Sequence, residues 1–174
     1  MTLDMTPRNA LFRAFLYVGT LAACSAAHAQ DFGEWRALTA EEEQARIADV
    51  PSDSIDPAMI EGDFDGDGTK DKAMIAIRRS DQVRGLIVSL KGRIHVVEAE
   101  NVEANDGLGL AEPGRWDTVC GNAFREFHQT ECRAGYPAQV RLRNPGFLHI
   151  GQGHTVLYFW NPRKKLFDAA SMVH

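Results

Sequence analysis

A stretch rich in aspartate, residues 63–71, constrains the fold of this chain more than any other segment. It reads Asp-Phe-Asp-Gly-Asp-Gly-Thr-Lys-Asp. Clustered carboxylates repel one another until a cation neutralises them, and calcium takes six to eight oxygen ligands. Gly68 permits the sharp turn that such a loop needs, because glycine reaches positive φ at little cost. The pattern therefore predicts a curled loop that binds Ca²⁺. Its predicted ligands are Asp63, Asp65, Asp67, Asp71 and the backbone carbonyl of Thr69.

The loop differs from an EF-hand. An EF-hand carries a bidentate glutamate at its twelfth position, and this chain has Met74 there. The apolar residues 73–77 have the length of a buried strand, so no helix–loop–helix frame is expected. A metal-free turn is the alternative interpretation, because aspartate and glycine are common in turns. Four spaced carboxylates are more than a turn requires, and this favours a calcium loop.

Residues 62–68, followed by Asp71 and an apolar strand, resemble the calcium loop of FG-GAP repeats, which form the blades of integrin-type propellers. The resemblance implies that the four aspartates bind calcium between two strands. A propeller typically needs four to eight blades, and the sequence contains one such loop, so a full propeller is not expected. The chain also resembles small exported proteobacterial proteins that combine a single loop with a cysteine pair and an aromatic C-terminal hairpin. That wider resemblance implies no particular function.

The N-terminus predicts export. Two arginines precede an apolar stretch at residues 14–23, and small residues continue to Ala29. This arrangement is typical of a secretory signal over residues 1–29, cleaved between Ala29 and Gln30. The apolar stretch is too short for a membrane-spanning helix, which needs about 20 apolar residues. We therefore expect a periplasmic or secreted protein.

A lipid anchor is the alternative outcome of export. Residues 21–24 read Leu-Ala-Ala-Cys and fit a bacterial lipobox, in which Cys24 would be lipidated and the protein held at the outer membrane. Cleavage after Ala29 would instead remove Cys24 and release a soluble protein. The second outcome is favoured, because a cysteine among small residues is compatible with the end of an ordinary signal. Any contact with a membrane is expected only through this anchor.

Two cysteines remain after the signal. Cys120 and Cys132 are an even number of cysteines, and an exported protein folds in an oxidising compartment. Both facts predict a disulfide between them. A zinc site that also uses His128 is an alternative, but it lacks a fourth ligand and the usual close cysteine spacing. A free thiol is the other alternative. Export favours the disulfide.

The remaining sequence predicts one mostly β domain of the α+β class, over residues 30–174. Thr39 and Glu42 form a capping-box pattern that opens a short helix ending near Ala48. The strands are expected in an antiparallel sheet or meander, with Lys91-Gly92 as a hairpin turn. Predicted strands are 73–79, 84–90, 93–98, 139–143, 147–150, 154–160 and 165–172, and predicted loops are 51–57 and 105–114.

The last hairpin carries apolar bulk on both faces. Val156, Tyr158 and Trp160 alternate with Thr155, Leu157 and Phe159. Packing in the core of a sheet is the favoured interpretation, since aromatic residues suit half-buried pleated surfaces. An exposed aromatic platform for a ligand or glycan is the alternative. The basic residues 163–165 at the turn are expected to be solvated.

No catalytic residue is predicted. His95 lies in a strand pattern, His149 and His154 flank a Gly-Gln-Gly turn, and residues 105–107 are interpreted as a turn signal. A net charge of −5 with dispersed arginines argues against nucleic-acid binding.

Two functions therefore remain as hypotheses. The first is a non-catalytic module of the bacterial envelope, with structural calcium, that presents residues 105–114 or 120–132 to an unknown protein or glycan. The alternative is a small envelope hydrolase or enzyme inhibitor that acts through the loop closed by Cys120 and Cys132.

Overall fold

The structure is a computed structural model, and it describes residues 31–52, 54–121, 132 and 136–172. Within these residues the fold is mostly β with one short helix, as the sequence predicts. The elements are β1 (Asp31–Phe32), β2 (Trp35–Ala37), α1 (Ala40–Ile47), β3 (Met59–Gly62), β4 (Asp71–Arg78), β5 (Arg84–Leu90), β6 (Arg93–Glu98), β7 (Gly107–Ala111), β8 (Gly114–Asp117), β9 (Gln139–Leu142), β10 (Gly146–Gly151), β11 (His154–Asn161) and β12 (Leu166–Ser171).

The strands form three antiparallel sheets. In the first sheet the order is β1-β2-β4-β5-β6, and β3 pairs with the N-terminal half of β4. The second sheet has the order β12-β11-β10-β7, and β8 pairs with β9 in a two-stranded ribbon. An isolated bridge between Thr118 and Met172 joins the end of the ribbon to the end of the second sheet.

The main core lies between the first two sheets. Alternate residues of β4 and β5 face inward, which gives buried pairs such as Ala73 with Val88 and Ile75 with Leu86. Phe147 of β10 lies in the same core, and its ring stacks on that of Tyr158 with centroids 5.3 Å apart. Burial of such side chains contributes about 1.5–3 kcal/mol each. This core fixes the strands that flank the aspartate loop.

The C-terminal hairpin packs in the core on both of its faces. Tyr158 faces the main core, with Val156 and Trp160 packed against it. Leu157 on the opposite face is fully buried in a second cluster, with Phe159 packed against that cluster. Both aromatic rows are therefore used for packing between β11 and its neighbours, although Phe159 and Trp160 are only half-buried.

The short helix begins as predicted. The side chain of Thr39 accepts the backbone N–H of Glu42, and the Glu42 carboxylate accepts the N–H of Thr39. Arg36 donates two hydrogen bonds to the same carboxylate, and together these bonds lower the pKa of Glu42 to about 2. Arg46 of the last turn is buried, so the helix is attached to the body through a charged side chain.

The prediction of a loop at residues 105–114 is wrong. Residues 107–111 form β7, whose Leu108 and Ala111 are fully buried, so this segment is not a loop presented to a partner. The glycines that suggested a loop serve close packing instead. A Cβ at Gly107 would overlap Asp56, and one at Gly109 would lie 3.2 Å from Ile150 Cδ1. Glycine content alone does not separate a loop from a tightly packed strand.

The other predicted strands are confirmed within two residues. The turn at Lys91 and Gly92 has positive φ at both residues, as a tight hairpin requires. Four short strands were not predicted from the sequence: β1, β2, β3 and β8, each of at most four residues. Such short strands have too little alternation to stand out in a sequence.

The predicted disulfide is confirmed. Cys120 and Cys132 are bonded, with their Cα atoms 5.8 Å apart. Cys120 is buried at the end of the ribbon. Closing a loop of this length stabilises a fold by about 3 kcal/mol in the chain-entropy model. The pairing leaves neither cysteine as a free thiol or a zinc ligand.

Candidate metal centre

The aspartate loop connects two paired strands. Gly62 at the end of β3 lies opposite Asp71 at the start of β4, so residues 63–70 form the connection of a hairpin. Gly66 and Gly68 both have positive φ, at 77° and 86°. These are the conformations that fold the connection back on itself, and they strongly favour glycine. The predicted curled loop between two strands is present.

Phe64 attaches the loop to the protein core. Its side chain is 0% exposed, and its ring meets the edge of Phe147 with centroids 5.5 Å apart. Gly62 lies directly against this ring, since a Cβ at that position would be 2.8 Å from Phe64 Cε1. Phe64, which lies between the first two aspartates, therefore attaches the loop to the core. The carboxylates on either side of it can still converge.

Three carboxylates converge in the loop. Asp63, Asp65 and Asp71 each place an oxygen within 4.8 Å of the others. Asp71 is buried, with 1% of the residue exposed, whereas Asp63 and Asp65 are half-buried. The arrangement brings up to three negative charges together around one point.

Only one of the two carboxylate oxygens of Asp71 has a hydrogen-bond partner among the described residues. Its Oδ2 accepts the backbone N–H of Phe64 at 3.0 Å. Its Oδ1 is buried and has no hydrogen-bond partner among the described residues. Burial raises the pKa of Asp71 above its usual value, and the nearby charges of Asp65 and Asp67 raise it further. A cation at this point would give Oδ1 a partner and relieve the repulsion.

The carboxylates of Asp63 and Asp65 accept hydrogen bonds from backbone N–H groups of the loop. Asp63 accepts from the N–H groups of Asp67 and Gly68, both at 2.9 Å, and Asp65 Oδ1 accepts from Asp67 at 3.1 Å. Bonds of this kind hold the loop in its curled shape. Each carboxylate oxygen has two lone pairs, so these bonds leave acceptor capacity for an ion.

Asp67 lies outside the group of three. Its carboxylate is paired with Lys91 from the turn between β5 and β6, which lowers its pKa, and it accepts the N–H of Thr69 at 2.7 Å. Ligation by Asp67 and by the carbonyl of Thr69 stays a prediction, as does ligation by the three converging carboxylates. The sequence alone gave no signal for Lys91, which reaches the loop from a separate hairpin.

A groove next to the loop was not predicted. It has a volume of about 570 Å³ and runs from Phe64 past the turn after β9 to the turn after β11. Asn144 in its wall packs so closely on Gly66 that a Cβ there would overlap it. Three arginines, Arg141, Arg143 and Arg163, line the groove with Phe159 and Trp160, and the described lining residues include no acid.

The export predictions lie outside the described residues. These are the signal over 1–29, the lipidation site Cys24 and the cleavage site at Ala29 and Gln30. Among the helices of the described part, none is long and apolar enough to cross a membrane.

The chain matches no protein-family model, no curated protein and no solved structure.

Proposed function

We propose that this chain is an exported, non-catalytic domain in which a structural Ca²⁺ ion is bound by the loop between β3 and β4. One observation carries the proposal. The buried Oδ1 atom of Asp71 has no hydrogen-bond partner within the described part of the chain, and it belongs to a carboxylate that converges with Asp63 and Asp65. Leaving a buried polar atom unpaired costs about 1–3 kcal/mol, and more for a charged group.

Calcium is the ion that suits this donor set. All the converging atoms are carboxylate oxygens, which hard cations prefer. Calcium accepts an irregular shell of six to eight oxygens, whereas magnesium demands near-ideal octahedral geometry. Asp67 would be a further ligand, as the resemblance to FG-GAP loops implies, and the position of Thr69 in the loop makes its backbone carbonyl another.

The proposed ion stabilises the domain. It would link Asp63 and Asp65 of the loop to Asp71 at the start of β4, next to the Phe64 anchor. Binding to the folded state alone stabilises by about 2.7 kcal/mol at a hundredfold excess of ligand over Kd. The predicted signal and the disulfide between Cys120 and Cys132 suit an extracytoplasmic compartment.

Thermal unfolding of residues 30–174 in calcium and in chelator tests the proposal. We expect millimolar calcium to raise the Tm by about 5–10 °C, from a stabilisation of about 2.7 kcal/mol. The double variant Asp65→Ala/Asp67→Ala should lose this rise. The variant also loses the ion pair between Asp67 and Lys91, so its Tm in chelator should differ from that of the wild type. The quantity to compare is therefore the rise in Tm that calcium causes in each protein. An equal Tm in calcium and chelator for the wild type would contradict the structural calcium site.

We further propose that the arginine-lined groove binds an acidic segment of a protein or glycan partner. Arg141, Arg143 and Arg163 place three positive charges beside the half-buried rings of Phe159 and Trp160. Guanidinium groups bind carboxylate and sulfate groups through paired hydrogen bonds, and aromatic faces suit sugar rings or side chains. The groove lies within the usual size of ligand sites, about 300–1,000 Å³.

Calorimetric titration with short dextran sulfate and a poly-glutamate peptide tests the groove, with uncharged dextran as the negative probe. We expect Arg141→Glu/Arg143→Glu to weaken binding of at least one anionic probe by about tenfold or more, since each lost charge-assisted bond contributes about 1.5–3 kcal/mol. Arg79→Glu, at the far end of β4 from the loop, is the matched control. Equal weakening in both variants, or no binding of either anionic probe, would show that the groove is not the site.

A further inference from the structure

A second cluster of metal-binding side chains lies at one end of the second sheet. Asp106 directly precedes β7, His149 lies in β10, and His154 begins β11. One ligand atom from each lies within 4.8 Å of the others. None of the three belongs to the aspartate loop, so the cluster is separate from the proposed calcium site.

The carboxylate of this cluster is buried, and only one of its two oxygens has hydrogen-bond partners among the described residues. Asp106 is 1% exposed and His149 is 2% exposed. Asp106 Oδ2 lies 2.7 Å from His149 Nε2 and accepts the backbone N–H of Glu103 at 2.9 Å. The other oxygen, Oδ1, is buried without a hydrogen-bond partner among the described residues. A simple buried pair of His149 and Asp106 leaves this oxygen unexplained.

The unpaired oxygen and the ring of His154 both lie close to Gly151. A Cβ at Gly151 would lie 2.9 Å from Asp106 Oδ1 and 2.6 Å from His154 Nε2. Both atoms therefore lie beside the same point, and the absence of a side chain at Gly151 lets the His154 ring and the Asp106 carboxylate approach each other there. The two imidazole rings are 5.4 Å apart and nearly perpendicular, at 81°.

The neighbouring structure holds the cluster rigidly. Arg46 of α1 is buried and donates to the backbone carbonyl of Asp106 at 2.8 Å and to that of Asp56 at 2.7 Å. His149 is paired on both sides, by β7 and by β11. The positions of the ligands are thus set by the helix and by three strands that meet at this corner.

We propose that Asp106, His149 and His154 bind a divalent first-row transition metal ion, with Zn²⁺ as the ion of choice. Two imidazoles and one carboxylate are a donor set that zinc takes in proteins with a fourth position left for water or substrate. Calcium is disfavoured here, because it prefers oxygen ligands. Zinc would bind His149 Nε2 in place of the hydrogen bond to Asp106, with the imidazole in the tautomer that carries its proton on Nδ1, as a neutral histidine ligand does. His154, which is partly exposed, would form the entrance.

Zinc titration of the untagged full chain, with excess calcium present to occupy the aspartate loop, tests this proposal. We expect one Zn²⁺ ion per chain, and Co²⁺ in its place should give the visible absorption of a low-coordinate site. His154→Ala should weaken binding by about tenfold or more, since it removes one of three ligands. This variant should still fold, because His154 is not in the core, and circular dichroism checks this.

Two control variants separate this cluster from other sites. His95→Ala removes a histidine of β6 that contacts Trp160 and should leave zinc binding unchanged. Asp65→Ala disrupts the calcium loop and should also leave it unchanged. The proposal is overturned if the wild type binds no zinc, if His154→Ala binds it as tightly as the wild type, or if Asp65→Ala removes binding.

Discussion

Replacement of Phe64 by alanine is expected to lower the free energy of unfolding by about 3–5 kcal/mol, the range for truncating a buried aromatic side chain. Phe64 is fully buried against Phe147 and is the main apolar attachment of the aspartate loop. The alanine variant would leave a cavity between the loop and the second sheet. Urea unfolding of the wild type and the variant, both in chelator, measures the change without a contribution from calcium.

Two further variants serve as controls for Phe64→Ala. Leu166→Ala removes a side chain of a residue that is 47% exposed and should change stability by less than about 0.5 kcal/mol. Phe64→Leu keeps most of the apolar volume and should recover much of the loss. If Phe64→Ala costs less than about 1 kcal/mol, the loop is not attached through this ring. Calcium affinity should fall in the same variant, because a detached loop must pay ordering entropy when it binds the ion.

Replacement of Asp71 by asparagine is expected to have opposite effects with and without calcium. In chelator, the variant should be as stable as the wild type or more stable. Asparagine keeps an oxygen for the N–H of Phe64, and its amide can donate to the carboxylates of Asp63 or Asp65. The substitution also removes a buried charge whose ionisation the surroundings oppose, as the raised pKa of Asp71 indicates.

In millimolar calcium the same variant should be less stable than the wild type. It loses a charged ligand, and with it most of the stabilisation of about 2.7 kcal/mol expected at a hundredfold excess over Kd. Denaturant unfolding in calcium and in chelator measures this reversal. Asp81→Asn, which removes an exposed carboxylate paired with Arg78, is the control and should show the same calcium response as the wild type. If Asp71→Asn is destabilised by the same amount in both buffers, the carboxylate only accepts the backbone hydrogen bond and does not bind calcium.

The features that depend on neighbouring residues could be predicted from the sequence. The capping box of Thr39 and Glu42, the tight turn at Lys91 and Gly92 and the long strands β4, β5 and β11 are local patterns. Their signals are complete within a few residues, because capping, turn geometry and alternation act at short range. The aspartate loop belongs to the same class, since its carboxylates are adjacent in the chain.

The opposite holds where a residue's role depends on a distant partner. Residues 105–107 have the composition of a turn, yet Asp106 is buried beside His149, 43 residues later. Gly107 and Gly109 lie in a strand because neighbouring residues pack against them. These facts are invisible to a short window of sequence, because only the pairing of β7 with β10 brings the segments together.

The same distinction separates the two proposed metal sites. The proposed calcium loop rests on spacing within nine consecutive residues, 63–71, so it could be put forward as a prediction before any fold was known. The histidine cluster, the arginine groove and the pairing of Lys91 with Asp67 could not, because their members come from separate strands and turns. Short-range spacing determines which side chains can share a turn, whereas the packing of sheets determines which distant side chains share a space.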